Sequence, residues 1–301
     1  MRRYVFTVGI AVALVTAAFC VLGNFPIVET TQAEARPNSN LPTYSLDFHK
    51  ALSKGPTVRL KSALVVNYDD GSVIYSKNSD QVRSIASISK LMSAMVFLDS
   101  KPNLDSTYVI TRQDAYQSSR SRLRIGYKMT LQDLLYTSLM VSDNRATRAL
   151  ARASYGSYDK FAEAMNAKAH ELGLLNTGFV EPTGLDERNV STAAEVAQML
   201  YHARSYPLIA RVTSTANYRI KLLHRKRPFL KSISNTNLLM HSPYNVLAGK
   251  TGYIRAAEYC LVSVLQNRAG ERLTVVALGA PGAMTRFREA RKLVDWGFKQ
   301  N

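Results

Sequence analysis

Ser84-Ile85-Ala86-Ser87-Ile88-Ser89-Lys90-Leu91-Met92-Ser93-Ala94-Met95-Val96-Phe97-Leu98-Asp99 is the stretch on which the reading of the fold turns. From Ser87 onward, Ile88, Leu91, Met92, Met95, Val96 and Leu98 recur at helical spacing but cover most of the circumference. The spacing therefore predicts a helix buried on several sides. The same helix carries Ser87 and Lys90 three residues apart, on one face. An acylating serine needs a base within hydrogen-bond reach. Burial in an apolar helix is what would lower the pKa of Lys90 towards a neutral, basic amine.

Upstream, Leu60 to Asn67 and Ser72 to Ser76 are apolar runs separated by Asp69-Asp70-Gly71, a hairpin signal. Downstream, helical patterns occupy Leu131 to Ala153, Tyr158 to Leu172 and Thr192 to Arg204. Strand character returns at Val246 to Tyr253, Tyr259 to Gln266 and Leu273 to Gly279, the last two joined by Asn267-Arg268-Ala269-Gly270. A closing helix is expected over Thr285 to Phe298. Strands at both ends with helices between them predict an α+β domain over 58–301. Its antiparallel sheet would unite the N- and C-terminal segments, flanked by helices, with a mainly helical middle. No internal repeat and no second domain is evident.

The first residues, Met1-Arg2-Arg3-Tyr4 and then an apolar run from Val5 to Leu22, have the charged and apolar regions of an export signal. Ala33-Glu34-Ala35 offers a small-x-small site for cleavage before Arg36, so 1–35 is expected to be a signal peptide. The apolar run is also long enough for an uncleaved membrane anchor. The segment 36–57, with Pro37, Asn38, Ser39, Asn40 and Pro42, reads as a linker.

Of the two cysteines in the 301-residue chain, Cys20 falls in the signal, which leaves Cys260 without an internal disulfide partner. It is expected to be a buried thiol. With 46% hydrophobic residues the chain has enough apolar mass for a core without such a bridge.

The net charge of +17 belongs to the mature part, because Arg2 and Arg3 balance Glu29 and Glu34 in the first 35 residues. For an exported protein the polyanions at hand are wall polymers and lipid head groups, so association with the wall or the membrane surface stays open. The most basic stretch, Arg219 to Lys231 with Lys221, His224, Arg225, Lys226 and Arg227, lacks the aromatic interleaving of a single-strand nucleic-acid platform. It reads as a solvated loop. The five histidines show no metal spacing, and no cofactor or zinc is expected.

Three short motifs carry chemistry. Ser87-Ile88-Ser89-Lys90 is the first, although Ser157-Tyr158-Asp159-Lys160 has the same spacing. Ser157 follows Tyr155-Gly156 at a helix start, where a serine serves as an N-cap. The second, Ser142-Asp143-Asn144, follows Leu139, Met140 and Val141 and offers a hydroxyl and an amide on one short turn, and Ser76-Lys77-Asn78 shares its form. The third, Lys250-Thr251-Gly252, occurs once, in a strand-like segment. A strand bearing a cation, a hydroxyl and a residue without a side chain can pair with a peptide backbone while binding its carboxylate.

Ser-x-x-Lys, Ser-Asp-Asn and Lys-Thr-Gly, in that order at 87, 142 and 250, form the motif set of the serine penicillin-recognising enzymes. From about Lys61 onward the chain resembles the low-molecular-mass penicillin-binding proteins, most closely the D-alanyl-D-alanine endopeptidases of the serine peptidase family of the Gram-negative periplasm. Ser121-Arg122-Leu123, Val180-Glu181-Pro182-Thr183-Gly184-Leu185 and Asn235-Thr236-Asn237 look like that subfamily as well. The resemblance implies the serine β-lactamase/DD-peptidase-like fold and peptidoglycan peptide stems and β-lactam antibiotics as partners. It implies Ser87 as nucleophile, Lys90 as general base and Ser142 as proton relay to the leaving amine. Asn144 would hold Lys90 and a substrate amide, Lys250 and Thr251 would bind the terminal carboxylate, and Gly252 would leave room for the substrate backbone. Lys250 would also help to keep Lys90 neutral by like-charge proximity. The oxyanion hole would be the backbone N–H groups of Ser87 and Tyr253. Glu181 is implied to be structural rather than a deacylating base. The 49 residues after Gly252 suffice for the sheet and the last helix but not for the extra β-domain or the amphipathic tail of the carboxypeptidases. On the resemblance, endopeptidase is the first expectation and carboxypeptidase the alternative, with a β-lactamase or a non-catalytic wall-binding protein behind both.

Overall fold

The computed structural model of the chain describes residues 44–49, 55–116, 118, 121–223 and 228–300. The expected signal peptide, most of the expected linker, and His224 to Arg227 lie outside the described residues. In chain order the elements are β1 (Ser62–Asn67), β2 (Val73–Lys77), β3 (Arg83–Ser84), α1 (Lys90–Asp99), β4 (Thr107–Val109), α2 (Arg112–Ala115), β5 (Lys128–Thr130) and α3 (Leu131–Met140). There follow α4 (Asn144–Tyr155), α5 (Tyr158–Glu171), β6 (Val190–Ser191), α6 (Ala193–Arg204), α7 (Pro207–Ser214), β7 (Asn217–Leu222) and β8 (Phe229–Ser234). The chain ends with β9 (Asn245–Ile254), β10 (Glu258–Gln266), β11 (Arg272–Ala280) and α8 (Ala283–Gly297).

The central sheet has the order β2-β1-β11-β10-β9, all pairs antiparallel, so the N-terminal hairpin closes against the C-terminal strands. Val65 faces Val275 in the register of β1 and β11. Both faces of the sheet are covered, which is why its strands read as apolar runs without strict alternation. Leu64, Val66, Val262 and Val276 pack with the helices of the middle segment. Ala63, Val65, Leu261 and Val275 pack with Phe287, Leu293 and Val294 of α8 on the other face.

The helix α1 lies at the centre of the first cluster, among α3, α4, α5 and α6, and every residue from Lys90 to Leu98 is buried. Its lead-in differs from the expectation: Ala86–Ser89 is a single 3-10 turn, and the α-helix begins at Lys90. The helical pattern over Leu131 to Ala153 is broken into α3 and α4. Asp143 caps α4 by accepting from the backbone N–H of Arg145 and Ala146, and Ser142 takes a left-handed φ of 59°.

Two further regions depart from the sequence reading. The basic stretch Arg219 to Lys231 is not simply a solvated loop, because Arg219 and Lys221 stand on β7 and Lys231 on β8, paired as a hairpin. Ile220, Leu222 and Ile233 are the buried residues that hold this hairpin down, and they alternate with the charges. Within the expected linker, Tyr44 is buried and stacks on Tyr201 with ring centroids 3.8 Å apart, while the Asp47 backbone bonds to Gly71 and Val73. The segment there is packed onto the domain.

Candidate active site

Three parts of the fold meet at one edge of the sheet: the 3-10 turn before α1, the break between α3 and α4, and the edge strand β9. Two glycines set the distances. A Cβ on Gly252 would lie 3.0 Å from both the Ser87 N and the Ile85 O, and one on Gly184 would lie 1.9 Å from the Ala86 O. Only residues without side chains let β9 and the 180–189 loop close on the backbone at Ser87. Ala86, directly before Ser87, sits at a left-handed φ of 48°, as does Ser142 at 59°. Backbone strain of this kind persists where surrounding structure imposes it.

Lys90 is fully buried, and its Nζ lies 2.8 Å from Ser87 Oγ, 2.7 Å from Asn144 Oδ1 and 2.5 Å from the Thr183 carbonyl. Asn144 Oδ1 and the Thr183 carbonyl can only accept hydrogen bonds. A neutral amine donates its two protons to those two and turns its lone pair to the Ser87 hydroxyl. Burial lowers the pKa of Lys90 to about 7, against the opposing pull of Glu181 and Asp143 and with a smaller push from the Arg148 guanidinium. Arg148 is thus a like charge beside Lys90 in addition to the expected Lys250. The repulsion between the two lysines is expressed at Lys250, which burial, Lys90 and Arg286 together hold well below the usual lysine range. Repulsion between two ammonium groups is mutual, so the pair resists holding two protons at once.

Lys250 is also buried, with its Nζ 2.9 Å from Ser142 Oγ and 2.8 Å from the Thr251 carbonyl. Thr251 Oγ1 lies 2.6 Å from Thr236 Oγ1. Ser87, Lys90, Ser142, Asn144, Lys250, Thr251 and Gly252 are therefore brought together, and Tyr253 follows Gly252 on β9 with its side chain exposed.

Several groups at the site were not singled out from the sequence. The Thr183 carbonyl is one, held by a loop whose Glu181 carboxylate accepts from Thr183 N and Oγ1, Gly184 N and Leu185 N. That carboxylate is occupied by its own loop, as the structural reading expects. Ser121 Oγ and Arg122 N donate to Asp143, which fixes the turn bearing Ser142 and Asn144. Arg286 Nη1 donates to the Gly252 carbonyl at 3.1 Å. The quoted Ser121-Arg122-Leu123 and Asn235-Thr236-Asn237 are the signals that could have found Ser121 and Thr236. Nothing in the local sequence points to Arg286.

The decoys lie elsewhere. Ser157 caps α5 and accepts from Asp159 N, and Ser76 pairs with Ser79. Burial pushes the Cys260 thiol up to about 11. Among the described residues no group of three or more His, Cys, Asp and Glu side chains is placed to hold a metal.

A family profile described as D-alanyl-D-alanine carboxypeptidase matches residues 49–282. The chain belongs to this family of serine peptidases. Within the family it is similar to a D-alanyl-D-alanine endopeptidase of Pseudomonas aeruginosa, 39% identical over 85% of this chain and 80% of that one. It is also 39% identical to a D-alanyl-D-alanine endopeptidase of Escherichia coli, over 80% of this chain and 78% of the other. Among solved structures, a Streptomyces DD-transpeptidase superposes with a TM-score of 0.76 at 30% identity, covering 82% of this chain and 99% of that one. The DD-peptidase fold and serine D-Ala-D-Ala hydrolase class implied by the motifs are thus those of this family member, as are peptidoglycan peptides as substrate and β-lactams as ligands.

For this DD-peptidase, replacing Lys250 by Gln removes a buried amine that bonds Ser142 and is coupled to Lys90. Capture of a carboxylate-bearing β-lactam should weaken by about tenfold or more, since a charged hydrogen bond contributes roughly 1.5–3 kcal/mol. The cation that a bound carboxylate would restore at position 250, and that opposes protonation of Lys90, is absent from the variant, so acylation should demand a higher pH. Acylation rate against drug concentration reads the first effect and its pH profile the second. If neither moves, Lys250 does not serve this site.

Proposed function

We propose that the chain hydrolyses D-alanyl cross-links between peptidoglycan stems by a two-step acyl-enzyme route. Ser87 Oγ attacks the carbonyl of the D-alanyl residue while its proton passes to the lone pair of Lys90. The negative charge that develops on the carbonyl oxygen is received by the backbone N–H groups of Ser87 and Tyr253. Ser142, bonded to Lys250, relays the proton held by Lys90 to the departing amine as the peptide C–N bond breaks, which leaves Lys90 neutral again. Water then attacks the ester on Ser87, the same groups take its proton, and the free serine returns. Asn144 holds the amine of Lys90 and a substrate amide. Thr251 and Lys250 bind the carboxylate of the leaving side, whose arrival restores the charge on Lys250.

The observation that carries this reading is the Ser87–Lys90 contact, with the lysine fully buried and its other two contacts both acceptors. Cleavage of cross-links rather than terminal D-alanine is supported by the two endopeptidase relatives. With purified protein, release of monomers from cross-linked muropeptide dimers should outpace release of free D-alanine from pentapeptide monomers. Faster release from the pentapeptide would turn the assignment to carboxypeptidase.

The same reading places the chain outside the cytoplasmic membrane, in the periplasm of a Gram-negative cell. That placement is supported by the substrate class and by the charged and apolar order of Met1 to Leu22. Fractionation of cells, with the size of the mature protein measured by mass spectrometry, tests both export and cleavage before Arg36.

A further inference from the structure

On the face of the sheet covered by α8 there is an open cleft of about 540 Å³, lined by Pro56, Arg288, Arg291, Lys292, Trp296 and Lys299 together with Asp295. The α8 residues fall at intervals of three and four, so they form one stripe along the helix and into the residues that follow it. Pro56 closes the other side. Its segment is pinned in two ways: Lys292 Nζ donates to the Thr57 carbonyl at 2.7 Å, and Tyr75 Oη donates to the Pro56 carbonyl. Gly55 packs so tightly on the Tyr75 ring that a Cβ there would meet it at 2.5 Å. That side of the cleft is therefore fastened backbone.

Its lining is mainly cationic: Arg288, Arg291, Lys292 and Lys299 stand with one carboxylate, Asp295. That carboxylate is engaged at both oxygens, by Tyr244 Oη at 2.7 Å and by Arg291 Nε at 3.5 Å. Arg288 Nε lies 3.7 Å from Glu289, and Lys292 Nζ is bonded to the Thr57 carbonyl. Arg288 and Arg291 keep 64% and 51% of their side chains exposed, which leaves them accessible to a ligand. Trp296 is half-buried, with its ring held edge-on against Tyr75 at 5.9 Å and 76°. A fixed indole face beside arginines suits a ligand with both an apolar face and anionic groups. A pyranose presents its C–H face to such a ring, and carboxylates meet guanidinium groups in paired hydrogen bonds.

We infer that this cleft is a second, non-catalytic site that holds an anionic glycopeptide of the cell wall. The inference rests on the wall substrate proposed above and adds where the enzyme grips it. A membrane surface is the poorer match, because a planar array of head groups needs a protruding contact whereas this surface is concave. Arg286, at the start of α8, touches the Gly252 carbonyl at the edge of the active site. With a rise of about 1.5 Å per residue, the stripe from Arg288 to Lys299 extends to about 20 Å from that contact. One wall strand could occupy the cleft while a peptide stem reaches Ser87.

The chain contains a single tryptophan, so its intrinsic fluorescence reports this cleft and not the catalytic edge of the sheet. The probe is a soluble disaccharide tetrapeptide cut from wall, titrated into the Ser87→Ala protein, which cannot turn it over. A saturable change in Trp296 emission is expected, and prior acylation of the wild-type protein by a β-lactam should leave it unchanged. The triple variant Arg288→Ser, Arg291→Ser, Lys299→Ser should weaken the binding at least tenfold. Removing three other exposed charges, by Lys101→Ser, Lys160→Ser and Arg268→Ser, should not. Equal weakening by both triples would reduce the effect to net charge and overturn the proposal, as would no change with the fragment but a change with anionic phospholipid vesicles. Cleavage of soluble cross-linked dimers, unaffected in both triples if the cleft is non-catalytic, reads the proposed function separately. Its absence from the wild type would sink that function without deciding the cleft.

Discussion

Ser87→Ala is expected to abolish covalent labelling by a fluorescent penicillin, lowering acylation by at least ~10⁴-fold, as loss of the nucleophile does when a catalytic unit acts together. The substitution removes one oxygen from a half-buried side chain and leaves the other two contacts of Lys90, to Asn144 and the Thr183 carbonyl, in place. The Gly252 and Gly184 backbones that enclose position 87 do not touch the lost atom's chemistry. The thermal midpoint should therefore stay within a few degrees of the wild type while the label disappears. A denaturation-resistant adduct on the variant would mean that another serine is acylated.

Lys90→Met should lower acylation by roughly 10²–10⁴-fold, the range in which a positioned general base acts. Methionine keeps an unbranched apolar stem in the buried site but offers no lone pair of comparable basicity. The pH profile separates loss of the base from distortion of the site. In the wild type, acylation should rise as pH increases through about 7, where burial places the deprotonation of Lys90, and then level off. The variant's residual rate should lack that limb. Stability follows the same linkage: between about 7 and the ordinary lysine pKa near ~10.4, the unfolded chain binds a proton at this position that the folded chain does not. The contribution of Lys90 to stability therefore increases as pH rises across that window and is lost as pH falls through it. In Lys90→Met this part of the slope should vanish, as measured by denaturant unfolding at pH 7 and pH 9.

Much of the site was legible in the sequence because its residues sit on elements with strong local signals. The helix from Lys90 is apolar on nearly every face, the hairpin around Asp69-Asp70-Gly71 carries its own turn residues, and Lys250-Thr251-Gly252 lies in an apolar strand. The break at Ser142 was legible as a motif, but the strain that makes it, a left-handed serine held by the cap at Asp143, depends on Ser121 and Arg122 from a distant segment. The hairpin of β7 and β8 was missed because charge hid its alternation: Ile220 and Leu222 turn inward in alternation with Arg219 and Lys221. Tyr44 looked like part of a linker since its partner Tyr201 is far along the chain. The further like charge beside Lys90, on Arg148, was not legible for the same reason. Arg148 shows no motif, and its approach to Lys90 follows from the packing of α4 on α1.

The most direct measurement is the mass and position of the adduct after a short exposure of the purified protein to a β-lactam. Opening of the lactam ring by a serine hydroxyl forms one ester bond and breaks one amide bond within the drug, so the ring opening itself expels no fragment. The account predicts a mass increase equal to that of the intact drug, on the proteolytic peptide that contains Ser87 and on that residue within it. An adduct on Ser142, Ser157 or any other residue, or a folded protein that gains no mass at pH 8, would contradict it.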